Sequence, residues 1–190
     1  MLNHFTSNIP IMDAGIERLL KNQCINPSSP LYGTIADFNK GFSESSTGIC
    51  SAFITAYYTP QSIYYHNPLL LERAILAIKY QLAHQHEDGT IDLLETNFHD
   101  STMNAFSLQE LGPAYKLLKH FTEHTELEDE LEKLLYRYTK ASGDAMVNCG
   151  FHTPNHRWVV SSALSLCYNL IGDTKYLEHI HKFLNEGIDC

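Results

Sequence analysis

At 190 residues with 44% hydrophobic content, the chain is long enough for one domain with its own core, and nothing in the composition suggests disorder. A net charge of -9 at pH 7, with only 13 Lys and Arg spread along the sequence, excludes a general nucleic-acid surface, so any anion site must be local. The five Cys (Cys24, Cys50, Cys149, Cys167, Cys190) lack CxxC spacing and are odd in number, and so read as reduced or buried thiols rather than a disulfide framework or a zinc knuckle.

No run approaches the roughly 20 apolar residues that a membrane span needs. Residues 1–10 lack a positively charged region followed by a long apolar segment, so no secretory signal is expected there.

Apolar residues at Ile9, Met12, Ile16, Leu19 and Leu20 predict a first helix over 9–23. Pro, Ser and Gly then break the periodicity over 26–41, which reads as a long loop. A second helix follows over 44–58, starting near Ser43, rich in small and apolar residues and therefore expected to be covered on several sides. A third, over 68–84, is amphipathic. Residues 84–100 form another long loop, broken at Asp88-Gly89, and Asp100 caps a fourth helix over 101–120 in which Gly112-Pro113 predicts a kink. A fifth helix covers 123–147, a sixth opens at Thr153-Pro154 and runs to about Leu170, and a seventh covers 175–185 after the Gly172 turn.

Ser43, Asp100 and Thr153 each open an even-numbered helix, about 55 residues apart, which predicts repeated helical hairpins. The fold class expected is therefore all-α: antiparallel hairpins forming an incomplete (α/α) toroid, even helices inside and odd helices outside. All inner helices start at one end, where the long loops hold most of the Gly, Asn and His, and function is expected there. The period places another inner helix beyond Cys190, so residues 1–190 read as a single toroid domain forming the front part of a longer protein.

The stretch Gly150-Phe151-His152-Thr153-Pro154-Asn155-His156-Arg157-Trp158 concentrates the chemistry. Thr153 suits the N-cap and Pro154 the first helical position, placing Asn155, His156 and Arg157 in the first turn, where unpaired amides and the helix dipole favour an anion. An amide, a neutral imidazole and a guanidinium are then expected to converge on a carboxylate. Trp158 reads as a core anchor or, at this helix start, a sugar platform. His152 suits either substrate contact or loop hydrogen bonding, as do Asn97 and His99, which approach the previous inner-helix start in the same way. No metal or other cofactor is expected: His84 and His86 fall at a helix end, and Thr153-Pro154 puts a helix start between His152 and His156.

The Asn155-His156 pair at an inner-helix start resembles the helical domain of heparinase II/III-like and alginate-type polysaccharide lyases. There an Asn-His pair holds the uronate carboxylate, within a motif that often reads Asn-Asn-His-Gly; here Pro154 and Arg157 replace the outer residues. The resemblance implies β-elimination on uronic-acid-containing glycans, with Asn155 and His156 catalytic and Arg157, His152, Asn97, His99 and Trp158 as substrate-binding walls. The proton-transferring residue would be a Tyr on a following inner helix, past Cys190, so little or no turnover is expected from this chain alone. The partners implied are an acidic polysaccharide or oligosaccharide and the C-terminal part of the same protein, in a periplasmic or secreted setting. Two other readings stay open: a toroid-type glycoside hydrolase using carboxylates among Asp88, Asp92, Glu95 and Asp100, and a noncatalytic helical module that binds glycans or a protein.

Overall fold

The computed structural model describes residues 2–35, 43–93, 97–150 and 153–186. Within them lie seven helices, α1 (Leu2–Asn22), α2 (Ser43–Tyr57), α3 (Pro68–Ala83), α4 (Ser101–Leu118), α5 (Glu126–Asn148), α6 (Pro154–Ile171) and α7 (Lys175–Glu186). The loop before α4 also holds two short antiparallel strands, β1 (Ile91–Leu93) and β2 (Asn97–Asp100), with Ile91 opposite Asp100 and Leu93 opposite Asn97. The chain is mostly helical, and this ribbon corrects the expectation of a structureless second loop. Ile91 is buried while Asp92 and Leu93 are only half-buried, and three residues are too few for a strand period to show in the sequence.

Helices alternate between two layers. In one, α2 packs on α4 and α4 on α6; in the other, α3 packs on α5 and α5 on α7. Each even helix also packs on the odd helix that follows it. The core fills the seam between layers, where Phe53, Leu70, Leu108, Tyr115, Leu135, Tyr138 and Leu164 are almost wholly buried. Even helices therefore have neighbours on several sides, which is why their sequences show small and apolar residues rather than a narrow stripe. The predominance of helix agrees with the expected all-α class. No helix of the described residues is long and apolar enough to cross a membrane.

Helix boundaries follow local chemistry. α1 begins at Leu2, well before the predicted start, with Pro10 inside it. α4 runs on through Gly112-Pro113; Gln109 and Pro113 are both exposed, so the carbonyl left without a donor by the proline faces solvent. At the start of α4, Asp100 Oδ1 accepts from the Met103 amide at 2.9 Å, as expected of a cap. At the start of α6 Pro154 takes the first turn, but Thr153 makes no side-chain cap bond; its carbonyl accepts from His156 N at 3.0 Å instead. Asp100→Ala should therefore cost about 1 kcal/mol, whereas Thr153→Ala should stay within about 0.5 kcal/mol of the parent, as read by urea unfolding.

The loops that enter α2 and α4 share a device. Each contains Gly-Thr-Ile, at 33–35 and 89–91, with the threonine and isoleucine buried. Gly33 and Gly89 have φ of 102° and 82° and press against the backbone carbonyls of Leu76 on α3 and Ala141 on α5. Gln23 Nε2 donates to the Gly33 carbonyl at 2.8 Å; Gln85 Nε2 and Asn104 Nδ2 donate to that of Gly89 at 2.9 and 2.7 Å. Equivalent contacts thus hold the two loops on α3 and α5.

Candidate functional site at the entrances of α4 and α6

Proline at the first position of α6 fixes where the helix begins, and the next residues fan out at about 100° each. Asn155 is exposed and His156 half-buried. The His156 ring meets Phe106 of α4 edge-on, with centroids 6.2 Å apart at 89°. Arg157 turns toward α7, with Nε 3.8 Å from Glu186 Oε2. The expected convergence of all three on one spot is corrected accordingly, because consecutive helical residues point in different directions and the guanidinium follows the carboxylate on α7.

Trp158 is 56% exposed, so it is no core anchor. Three residues after Asn155, it lies on the same face of α6. An indole and a carboxamide thus stand together in solvent, with an imidazole beside them backed by a second aromatic ring. His152 lies outside the described residues.

Asn97 and His99 belong to a different polar group in the β1–β2 ribbon. Asn97 Nδ2 donates to Asp100 Oδ2 at 2.8 Å, which steadies the carboxylate that caps α4. His99, with φ of 55°, places Nδ1 2.9 Å from Asp88 Oδ2 and 3.1 Å from Thr90 Oγ1, while its amide donates to Asp92 Oδ1 at 3.0 Å. Its ring stacks on that of His86 at 3.9 Å, and His86 Nε2 lies 2.7 Å from Asp92 Oδ1.

Hydrogen bonds from the Thr90 hydroxyl and amide, with a smaller contribution from His99, outweigh burial and hold the Asp88 carboxyl down to about 2. The His99 amide, aided by His86, likewise lowers Asp92. Glu95 lies outside the described residues. Among the described residues no hydrogen bond or ion pair joins Asn97 or His99 to Asn155 or His156. The ribbon is therefore a self-satisfied neighbour of the α6 start. Among the described residues no group of three or more His, Cys, Asp or Glu has a metal-binding arrangement.

What does join the entrances is the open face of the even layer. Ser51 Oγ of α2 donates to the Glu110 carbonyl of α4 at 2.8 Å, and Gln109 Nε2 of α4 donates to the Val159 carbonyl of α6 at 3.4 Å. Across these links Thr55, Phe106, Gln109, Glu110, Asn155 and Trp158 are all exposed, forming one surface across three helices. Sequence periodicity marked the apolar side of each even helix and left this side undescribed. Its signal is the exposed-stripe spacing Phe106, Gln109, Pro113 on α4 and Asn155, Trp158, Ser162 on α6.

Of two described hollows, one meets this surface at Thr55 and the other lies away from it. One of about 540 Å3, between α1 and α2, is lined by Met12, Ile16, Leu19, Ala52 and Thr55 among others. Another of about 560 Å3 sits at the α4–α5 turn around Lys119, His124, Asp129 and Glu132. Asn155 and His156 line neither. No protein-family model matches the chain, and neither a curated protein nor a solved structure matches it.

Proposed function

We propose that the chain is the helical part of a carbohydrate-active protein, an arc of an (α/α) toroid whose even helices line the sugar-binding side, and that it serves a polysaccharide lyase acting on uronic-acid-containing glycans. One observation carries this reading: Asn155 and Trp158 are exposed together on one face of α6, beside His156 and Phe106. An aromatic face covers the apolar side of a sugar ring, and a carboxamide next to an imidazole offers donors to a carboxylate.

In β-elimination a general base removes the proton from the carbon next to the carboxylate. Its electron pair forms a new double bond as the bond to the neighbouring glycosidic oxygen breaks, and that oxygen is then protonated. Charge builds on the carboxylate during proton removal, so donors already in place lower the barrier. Asn155 and His156 supply those donors in this reading, with Trp158 as the platform. Arg157, held by Glu186, and His152, Asn97 and His99 are wall residues. The base and acid are residues other than these.

Hydrolysis is less well supported by the same residues. A glycosidase needs one carboxyl group with a raised pKa, whereas Asp88 and Asp92 are both lowered and Asp100 is occupied as a cap.

The test is calorimetric titration of the chain with a uronate-containing hexasaccharide. Asn155→Ala and Trp158→Ala should each weaken binding about tenfold, equivalent to roughly 1.4 kcal/mol, with unchanged circular dichroism. Unaltered affinity in both variants would remove the site. Cleavage of the glycan without the ultraviolet signal of an unsaturated product would overturn the elimination.

A further inference from the structure

Glycine inside a helix weakens it relative to alanine, and close packing is the usual reason to keep one there. Gly48, Gly112 and Gly143 have that reason: a Cβ on them would come within 2.9 to 3.0 Å of the side chains of Glu110, Leu166 and Tyr176. Gly15 does not. It lies well inside α1, its φ is not positive, and a Cβ on it would meet nothing within 4 Å. What its missing side chain does is leave open the hollow of about 540 Å3 between α1 and α2, which it helps to line.

The lining sorts by depth. Ile16 and Ile35, both 2% exposed, form the floor, and the half-buried Met12, Leu19 and Ala52 form the sides. Among the described lining residues there is no aromatic ring, so a sugar finds no platform here, in contrast to the face of Trp158 and Phe106. Aliphatic walls with one unbranched thioether adapt instead to a flexible hydrocarbon chain. Polar groups stand at the rim: Arg18 and Asn22, one turn apart on the exposed side of α1, and the exposed Thr55 on α2. Lys21 takes up Glu17 at 2.7 Å, and among the described residues no ion pair engages Arg18. A guanidinium fork next to a carboxamide receives both oxygens of a carboxylate, and the volume is that of a small-molecule site.

We infer that the hollow between α1 and α2 binds an aliphatic carboxylic acid, with its chain over Ile16 and Ile35 and its carboxylate on Arg18 and Asn22. Gly15 keeps the room that the chain occupies. The site goes beyond the uronate reading and shares only Thr55 with the face that carries it, so either can fail without the other.

The experiment is calorimetric titration of the full chain with decanoate, octanoate, decanol and decyltrimethylammonium, each below its micelle or solubility limit. Decanoate should saturate one site. Each methylene removed should weaken binding about fourfold, so octanoate should bind about fifteenfold more weakly. Decyltrimethylammonium, with the same chain and the opposite charge, should bind about tenfold more weakly than decanoate or worse. Arg18→Gln should weaken decanoate about tenfold and leave decanol unchanged. Gly15→Leu, whose side chain enters the hollow, should abolish binding of decanoate and decanol. Its fold should be kept, since leucine favours a helix over glycine, and its affinity for the uronate hexasaccharide should equal that of the parent.

Absence of saturable decanoate binding, or binding unaltered in Gly15→Leu, overturns the site. Equal affinity for decanoate and decyltrimethylammonium overturns the carboxylate end, and equal affinity for decanoate and octanoate overturns the aliphatic body. A parent that sediments as a dimer, becomes a monomer in Gly15→Leu and takes up no decanoate makes the hollow a contact between copies of the chain, and the inference falls.

Discussion

Replacing Gly89 by alanine should destabilise the protein by about 2–5 kcal/mol, a large part of the roughly 5–15 kcal/mol that holds a domain of this kind together. Two costs add. Gly89 sits at φ of 82°, where an L side chain is strained by roughly 1–2 kcal/mol. A Cβ there would also stand 2.2 Å from the carbonyl oxygen of Ala141, and that oxygen belongs to the backbone of α5, so relief requires the whole loop to lift off the helix. Lifting it breaks the bonds from Gln85 and Asn104 to the Gly89 carbonyl and pulls Thr90, 2% exposed, out of its buried position. Overpacking of this kind typically costs about 1–3 kcal/mol, which brings the sum to the stated range. Gly150→Ala is the control, since its Cβ would meet nothing within 4 Å. Urea unfolding of both variants decides the matter: a Gly89→Ala protein within about 1 kcal/mol of the parent would mean that the entry loop is not clamped to α5.

That clamp also shows where the sequence could be read and where it could not. Helix positions were legible because apolar spacing, Asp100 and Pro154 act over a few residues. The Gly-Thr-Ile repeat carried a sharper signal for the same architecture, but its meaning depends on a carbonyl some 50 residues away on another helix. Pairing in the β1–β2 ribbon was hidden because three or four residues are too few for alternation to stand out.

At the candidate site, sequence placed Asn155 and His156 at a helix start but could not tell which direction each residue faces. Trp158 illustrates the gap, since hydrophobicity alone argues for burial and only the position of α4 and α7 leaves it exposed. Arg157 illustrates it too, because its partner Glu186 comes from the end of α7.

At the far end of the bundle from the candidate site, Glu128→Ala should cost about 3–5 kcal/mol, with little change in glycan affinity of the folded fraction. Glu128 is 4% exposed and its carboxylate serves three donors: the Tyr58 hydroxyl on Oε1 at 2.5 Å, and the Thr125 amide and hydroxyl on Oε2 at 2.8 and 2.7 Å. One side chain thereby closes the capping box of α5 and ties it to the residue that follows α2. Alanine leaves the Tyr58 hydroxyl, itself in a residue 6% exposed and stacked on Phe121 at 4.5 Å, without its acceptor, and removes half of the cap. Glutamine keeps one accepting oxygen, so Glu128→Gln should lose only about 1–2 kcal/mol.

The same bonds set a pH dependence. Burial alone would raise the Glu128 carboxyl, but the donors from Tyr58 and Thr125, with the field of His124, carry it below its ordinary 4.5. At pH values between the folded and unfolded pKa the unfolded chain binds the extra proton, so stability rises with pH across that window. The contribution of Glu128 is therefore complete above about 4.5 and disappears as pH falls through the lower folded value. Unfolding free energies measured from pH 6 down to about 3 should fall less steeply in Glu128→Gln than in the parent. Parallel curves would show that the carboxylate is not held in its ionised form by Tyr58 and Thr125, and that the link between α2 and α5 draws its strength from the surrounding aromatic packing instead.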